Sequence, residues 1–265
     1  MLISVIVTIR NEELHIRDLL DSLVTQQGPL EIVLVDAFST DGTIPIIRDY
    51  MKRYETIRLH MRGGTRGEGR NFGILEAKGE AVAFIDGDCV ADPAWMREIR
   101  KDIGAGHEIV AGKTVRTGRA KFAQLSRVEL FYQGVDLTFP SCNLAYKTDV
   151  VKEAGVFDTM FRTAEDIDLN YRAVRNGHKI HYDENAVVNH HERDTLVAFL
   201  KQAFWNGYGR KQLTLKHGRL WSNYSITNMI QHDISFWYLL RTTIALLGYA
   251  TAKARERKED YKNPD

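Results

Sequence analysis

Cysteine is scarce in this chain. Only Cys89 and Cys142 occur among 265 residues, and they form neither a disulfide framework nor a metal-ligand spacing, which fits a reducing compartment. Net charge is nearly absent as well. A formal +1 leaves no overall field to draw nucleic acid, so no nucleic-acid partner is expected. No segment repeats and none is of low complexity, which excludes solenoids and propellers. The N-terminus, Met1 to Val7, lacks the basic lead and cleavage site of a secretory signal and reads as a first strand. The expected location is therefore cytoplasmic, either free or at the cytoplasmic face of the cell membrane. No Gly-x-x-x-x-Gly-Lys-Ser/Thr run appears, so a P-loop ATPase is excluded. Arg10-Asn11-Glu12, rather than a glycine cluster, follows the first strand, which disfavours a nicotinamide or flavin cofactor.

What is present is ordinary in bulk. The chain is 44% hydrophobic and 27% charged, the composition of a soluble globular protein, and is long enough for one large α/β domain with an appendage. Its organising stretch is Ala81 to Asp88, an apolar run that ends on Asp86, Gly87 and Asp88. Such a run between turn residues reads as a buried strand with both aspartates at its carboxyl end, the edge where open α/β sheets bind ligands. Two carboxylates on one small loop repel each other unless a cation joins them, and hard oxygen ligands suit Mg²⁺ or Mn²⁺. A solvated Asp-Gly turn is the plainer reading of an isolated Asp-x-Asp.

Around this stretch β and α patterns alternate. Strands are expected at Leu2–Thr8, Glu31–Val35 (ending on Asp36), Ile57–His60 and Glu108–Val115. Helices are expected from Leu14 to about Gln27, over Ile44–Tyr54, over Phe72–Ala77 after a Gly/Arg-rich loop at Arg62–Asn71, over Ala94–Ile103 and over Phe122–Phe131. Asp36 could accept hydrogen bonds from a base or ribose, or could cap the Ser39–Thr43 turn. Arg66 and Arg70 flank glycines whose backbone could approach a phosphate, or are solvated. Phe139–Tyr146 reads as a strand, and a short helix begins at Thr148. Thr163 is placed to cap a helix with an acidic first turn, Glu165-Asp166-Ile167-Asp168. Lys179–Tyr182 and Ala186–His191 read as two short strands. Thr195–Lys216 reads as a helix with a glycine interruption at Gly207 and Gly209. Its Phe204–Arg210 run is aromatic and ends on a basic residue. The apolar stretch 234–252, followed by Lys253, Arg255, Arg257 and Lys258, reads as an interfacial helix or, equally, as a docked helix or dimer contact. Tyr261–Asp265 reads as a frayed tail.

In order, these blocks resemble the inverting family 2 glycosyltransferases of the GT-A fold over roughly residues 2–210. The blocks are Ser4–Thr8 with Asn11-Glu12-Glu13; Val35-Asp36 with Ser39–Thr43; Gly69–Gly73 with Ala77–Glu80; Phe84–Asp88; Asn143–Tyr146; Gly155–Asp158; Glu165–Leu169; and Ala186–His190. Each is weak alone; eight in order are specific. Two departures stand out: Asp36-Ala37-Phe38 lacks the usual second acidic residue, and Arg10 replaces a common tyrosine.

The resemblance implies an α/β fold with a doubly wound, mostly parallel, Rossmann-like sheet. Residues 1–217 would be the catalytic domain and 218–265 a C-terminal helical extension. The donor would be a UDP- or GDP-linked sugar held by Thr8, Arg10, Glu12, Asp36, Arg66 or Arg70, Asp86, Gly87 and Asp88. Asp86, Asp88 and His190, with His191 as the alternative to His190, would hold Mg²⁺ or Mn²⁺. Asp166 would be the general base, and Glu165 would position it or the acceptor. The acceptor would be a glycan or a lipid-linked saccharide, with peripheral membrane contact through 234–258 or a homodimer contact there. Alternatives are a sugar-nucleotide-forming nucleotidyltransferase and a catalytically silent sugar-nucleotide-binding module.

Overall fold

The computed structural model describes residues 1–117, 125, 127–191, 195–218, 220, 235–257 and 260. They fall into two compact units, each discontinuous in sequence. The first comprises 1–117, 139–157 and 172–191; the second comprises 118–138, 158–171 and 192–265.

The first unit is built on the apolar runs. β1 (Ile3–Ile9), β2 (Leu30–Asp36), β3 (Ile57–Met61) and β4 (Ala81–Phe84) are parallel. They are linked through α1 (Ile16–Val24), α2 (Thr43–Met51) and α3 (Arg66–Glu76). Register aligns their carboxyl ends: Ile9 pairs with Asp36, Asp36 with Met61, and Ile6 with Phe84. The sheet continues through β9 (Leu144–Lys147), β6 (Ile109–Arg116), β10 (Ile180–His190) and β5 (Cys89–Ala91). Its order is β3-β2-β1-β4-β9-β6-β10-β5, with β9 and β5 antiparallel to their neighbours. This is the doubly wound, mostly parallel α/β sheet expected from the alternation. The core is apolar: Ile3, Val5, Leu19, Leu20, Ile32, Leu34 and Trp95 are fully buried. Helices α4 (Trp95–Gly104) and α5 (Thr148–Glu153) lie at their expected places.

Several local expectations need correction. Leu14 is not the start of a helix; it is 85% exposed and precedes α1. The Gly/Arg-rich Arg62–Asn71 stretch is mostly helix, because Thr65 and Glu68 form a capping box that outweighs the low helix propensity of Gly67 and Gly69. A 3-10 turn, Ser141–Asn143, precedes β9 where a single strand was expected. The two strands expected at 179–191 are one, β10, irregular between Asp183 and Val187. The short β5 had no periodic signal at all.

In the second unit, Phe131 does not end a helix. Among the described residues, β7 (Phe131–Tyr132) and β8 (Val135–Asp136) form a hairpin, turned by Gln133 at φ 52° and Gly134 at φ 78°. Nor are residues 127–130 helical; 122–124 and 126 of that expected helix lie outside the described residues, as do Ile234, Lys258 and the 261–265 tail. α6 (Glu165–Arg175) contributes its first seven residues to this unit. α7 (Leu196–His217) is continuous and capped by Thr195, so the glycines do not interrupt it. Instead Gly207 permits close packing on α8 (Phe236–Arg255), while Gly209 faces Thr163. A Cβ on Gly207 would lie 1.8 Å from the Ala245 carbonyl oxygen, and one on Gly248 1.9 Å from that of Phe204. Among the described residues no helix is long and apolar enough to cross a membrane.

Candidate active site

At the carboxyl edge of β1 and β2 two loops are knitted together. The Asn11 amide N–H donates to Ser39 Oγ at 2.8 Å, and Asn11 Oδ1 accepts from the Thr40 N–H at 2.8 Å. The Glu12 N–H donates to Thr43 Oγ1, and Glu13 accepts from the Gly42 N–H. Asn11 and Phe38 hold φ of 56° and 57°, conformations that only a well-determined loop sustains. Asp36 is fully buried and accepts from the Ser39 N–H at 2.7 Å and from Ser39 Oγ at 2.5 Å. It caps its own turn here.

Beside these loops runs the Asp86-Gly87-Asp88 turn that follows β4. A Cβ on Gly87 would lie 2.8 Å from Glu12 Cγ and from Ile9 Cγ2, so glycine lets the β1 loop close onto the acidic turn. Thr8 packs likewise over Gly69, where a Cβ would meet its Cγ2 at 2.9 Å. Arg70, only 2% exposed, reaches Asp86 Oδ1 at 2.9 Å and places its guanidinium over the Phe157 ring. Asn71 clamps the Phe157 backbone from both sides, donating to its carbonyl at 2.7 Å and accepting from its N–H at 2.8 Å. Arg10 and Arg66 are exposed.

β10 delivers His190 to the same turn. Its Nε2 lies 3.4 Å from Asp88 Oδ1. Burial disfavours the charged imidazole, but the Asp88 carboxylate outweighs it and pushes the pKa up to about 9. His191 turns away and stacks on His15 at 5.0 Å, while its N–H donates to the Asp88 carbonyl. Of the two adjacent histidines, His190 is thus the one that presents a ring nitrogen to Asp88. Asp88 Oδ1, Cys89 Sγ and His190 Nε2 all lie within 4.8 Å of one another, a donor set that fits a divalent cation. Asp86 stands outside that trio, paired with Arg70.

The acidic turn of α6 is fixed within the second unit. Asp168 is fully buried and receives Lys216 Nζ at 2.9 Å and His217 Nε2 at 2.7 Å. Lys216 also binds Asp158 at 2.6 Å. The neighbours of this anchor are Glu165, which is buried, and Asp166, which is half-buried and accepts from the Ile167 N–H at 2.8 Å.

Three contributors escaped the sequence reading. Cys89 joins the donor trio, His15 supports His191, and buried Asn143 clips strands together, accepting from Trp95 Nε1 and donating to the Ala186 carbonyl. Asn143 had a signal, since it sits in one of the ordered blocks. Cys89 had none beyond adjacency to Asp88.

The sequence profile described as Glycosyl transferase family 2 matches residues 4–150. Glycosyltransferase AglE of Haloferax volcanii is 26% identical over 224 residues, covering 80% of this chain and 73% of that protein. Staphylococcus aureus TarS 1–349 in complex with UDP-GlcNAc superposes with a TM-score of 0.65 at 19% identity, covering 98% of this chain and 74% of that one. A mannosyltransferase of Pyrobaculum calidifontis, PcManGT, in complex with GDP-Man and Mn²⁺, also gives 0.65 at 19% identity, covering 96% and 75%. These likenesses agree with a GT-A fold.

Proposed function

The chain belongs to glycosyl transferase family 2 and is a glycosyltransferase, and on that premise we propose that it moves a sugar from a nucleoside diphosphate to an acceptor hydroxyl with inversion, in a metal-dependent reaction. What carries the proposal is the meeting of Asp88, His190 and the Arg70–Asp86 pair at the sheet's carboxyl edge.

Asp88 and His190, with Asp86 beside them, would hold Mg²⁺ or Mn²⁺. When bound, the cation neutralises charge developing on the departing diphosphate. Arg70 steers Asp86 and adds fixed positive charge beside it. Thr8, Arg10, Glu12 and Arg66 line the nucleotide side, and buried Asp36 takes part there by holding the Ser39 turn in place. Asp166 takes the acceptor's proton as its oxygen attacks the anomeric carbon from the face opposite the leaving group. Glu165 positions the acceptor or the base.

UDP and GDP donors both remain in play, as the ligands of TarS and PcManGT support either. The acceptor is a glycan or lipid-linked saccharide. In support, α8 exposes Phe236, Leu239, Leu246 and Leu247 and ends in Lys253 and Arg255, a face suited to peripheral membrane contact through 234–258. A homodimer through that face is the competing outcome in a vesicle co-sedimentation assay.

The test pairs a Mn²⁺-dependent thermal-shift screen of UDP- and GDP-sugars with transfer assays of Asp166→Asn. The expected result is one stabilising donor class, a product of inverted anomeric configuration, and a kcat about a thousandfold lower in the variant with donor affinity kept. Donor binding without turnover across a broad acceptor panel would instead indicate a silent binding module.

A further inference from the structure

Within the second unit, one face of α7 grips the chain that leads into the acidic turn of α6. Trp205, Gly209, Gln212 and Lys216 recur at steps of four, three and four residues, so they share one side of the helix. The Arg162 guanidinium lies over the Trp205 ring at 5.7 Å. Gln212 is fully buried; its Oε1 accepts from the Arg162 N–H at 3.4 Å, and its Nε2 donates to the Met160 carbonyl at 3.1 Å. Lys216 spans the segment, bound to Asp158 before it and to Asp168 after it, and His217 shares Asp168. Gly209 meets the segment at its backbone. A Cβ there would lie 2.7 Å from Thr163 Cγ2, 2.8 Å from the Thr163 carbonyl oxygen and 3.0 Å from Ala164 Cβ. Ala164 holds φ 64°, a left-handed conformation that alanine keeps only where its surroundings impose it. Its carbonyl accepts from the Asp168 N–H at 3.0 Å, a first-turn bond of α6. The residue that α7 presses on is thus the one from which the acidic turn starts.

We propose that Gly209 and Gln212 are positioning residues for the transfer reaction: they fix Thr163 and Ala164, and through them the direction in which the Asp166 carboxylate meets the acceptor hydroxyl. The proposal rests on the reading that Asp166 is the general base, and it adds what aims that base. A base must lie within hydrogen-bond reach of the proton it takes, and a displacement of about 1 Å can cost on the order of a hundredfold in rate. Lys216 and His217 hold the turn beyond Asp166, at Asp168; Gly209 and Gln212 hold it before, at residues 160–164. Position 209 needs glycine because the opposing atom is a backbone carbonyl, which cannot swing aside as the tip of a long side chain can. All of these residues lie in the second unit, and those assigned to the nucleotide lie in the first, so the expected loss is in turnover rather than in donor affinity.

A double-variant cycle on the full chain tests this. The probes are UDP-GlcNAc and GDP-mannose with Mn²⁺, turnover being followed as free nucleoside diphosphate and expressed per molecule that binds UDP or GDP in calorimetry. Gly209→Ala is expected to lower kcat about a hundredfold and Gln212→Met about tenfold, each with nucleotide Kd within about twofold of wild type. In an Asp166→Asn background, itself about a thousandfold down, neither change should cost more than about a further twofold, because the group they aim is gone. Asn206→Ala, exposed on α7, should leave kcat unchanged. Lost stability alone would reduce the fraction of molecules that bind nucleotide and leave kcat per binding molecule as it was. Circular dichroism checks folding, and Gln212→Met carries the cycle should the glycine variant fold poorly. Turnover kept in both variants, or losses that multiply fully onto that of Asp166→Asn, would overturn the positioning role and leave Asp166 standing as the base. Asp166→Asn turning over as fast as wild type would overturn base and positioning role together.

Discussion

Strand β10 carries a histidine–carboxylate contact at each end, and the two are equally close. His190 Nε2 lies 3.4 Å from Asp88 Oδ1, and His181 Nε2 lies 3.4 Å from Asp102 Oδ2. Their surroundings differ. His181 is stacked on His107 at 3.8 Å with ring planes 5° apart, and its acid, Asp102, has a second buried carboxylate, Asp183, as neighbour. Burial first, and Asp183 second, raise the Asp102 pKa. Asp183 is lowered: its own burial acts upward, but hydrogen bonds from Asn185 outweigh it. At that end the two carboxylates are shifted in opposite directions. At the other end Asp86, Asp88 and Cys89 gather round His190, and both the imidazole and the Cys89 thiol are pushed up. A histidine–aspartate contact therefore does not mark a site by itself. What separates the two ends is that loops from β1, β4 and β10 converge at one and parallel strands merely begin at the other.

Breaking Asp88 should separate the ends most sharply. Asp88→Asn is expected to lower transfer about a thousandfold, whereas Asp102→Asn should leave kcat within about twofold, measured by steady-state kinetics. Gly87→Ala comes next: its Cβ would press on Glu12 and Ile9, shifting the turn at a cost of about a hundredfold in kcat/KM, with no counterpart at the far end. The third effect is on stability. His190 has a raised folded pKa, so its contribution is whole below 6.5 and is lost as pH rises toward about 9. Chelated protein should lose about 2 kcal/mol over that window in urea titrations, and His190→Ala should flatten the loss. The smallest effect belongs to the far end. Because the Asp102 pKa is raised, its contribution is present below the ordinary carboxylate range and fades as pH climbs through the raised value. Asp102→Asn should remove that acid-side slope and change stability near neutrality by less than about 1 kcal/mol, read from urea midpoints.

Much of this protein was determined by sequence alone. The β-branched runs at Ile3–Ile9, Leu30–Asp36 and Ala81–Phe84 specify buried parallel strands, because burial on both faces demands continuous apolar side chains. Ordered blocks around Asp86, Asp166 and His190 specify the family and nominate site residues, since those side chains keep their places along the chain. Local glycine and short-strand signals misled. Gly67 and Gly69 hide a capped helix, and Gly207 serves the close approach of α7 and α8. Only the tertiary structure decided who meets whom: His190 rather than His191 at Asp88, Arg70 on Asp86, and Cys89 opposite His190. The meetings at His190 depend on strand register between segments about a hundred residues apart, whereas Arg70 and Asp86 are 16 residues apart. Periodicity encodes which face a residue takes; it carries no information about the partner across the ladder.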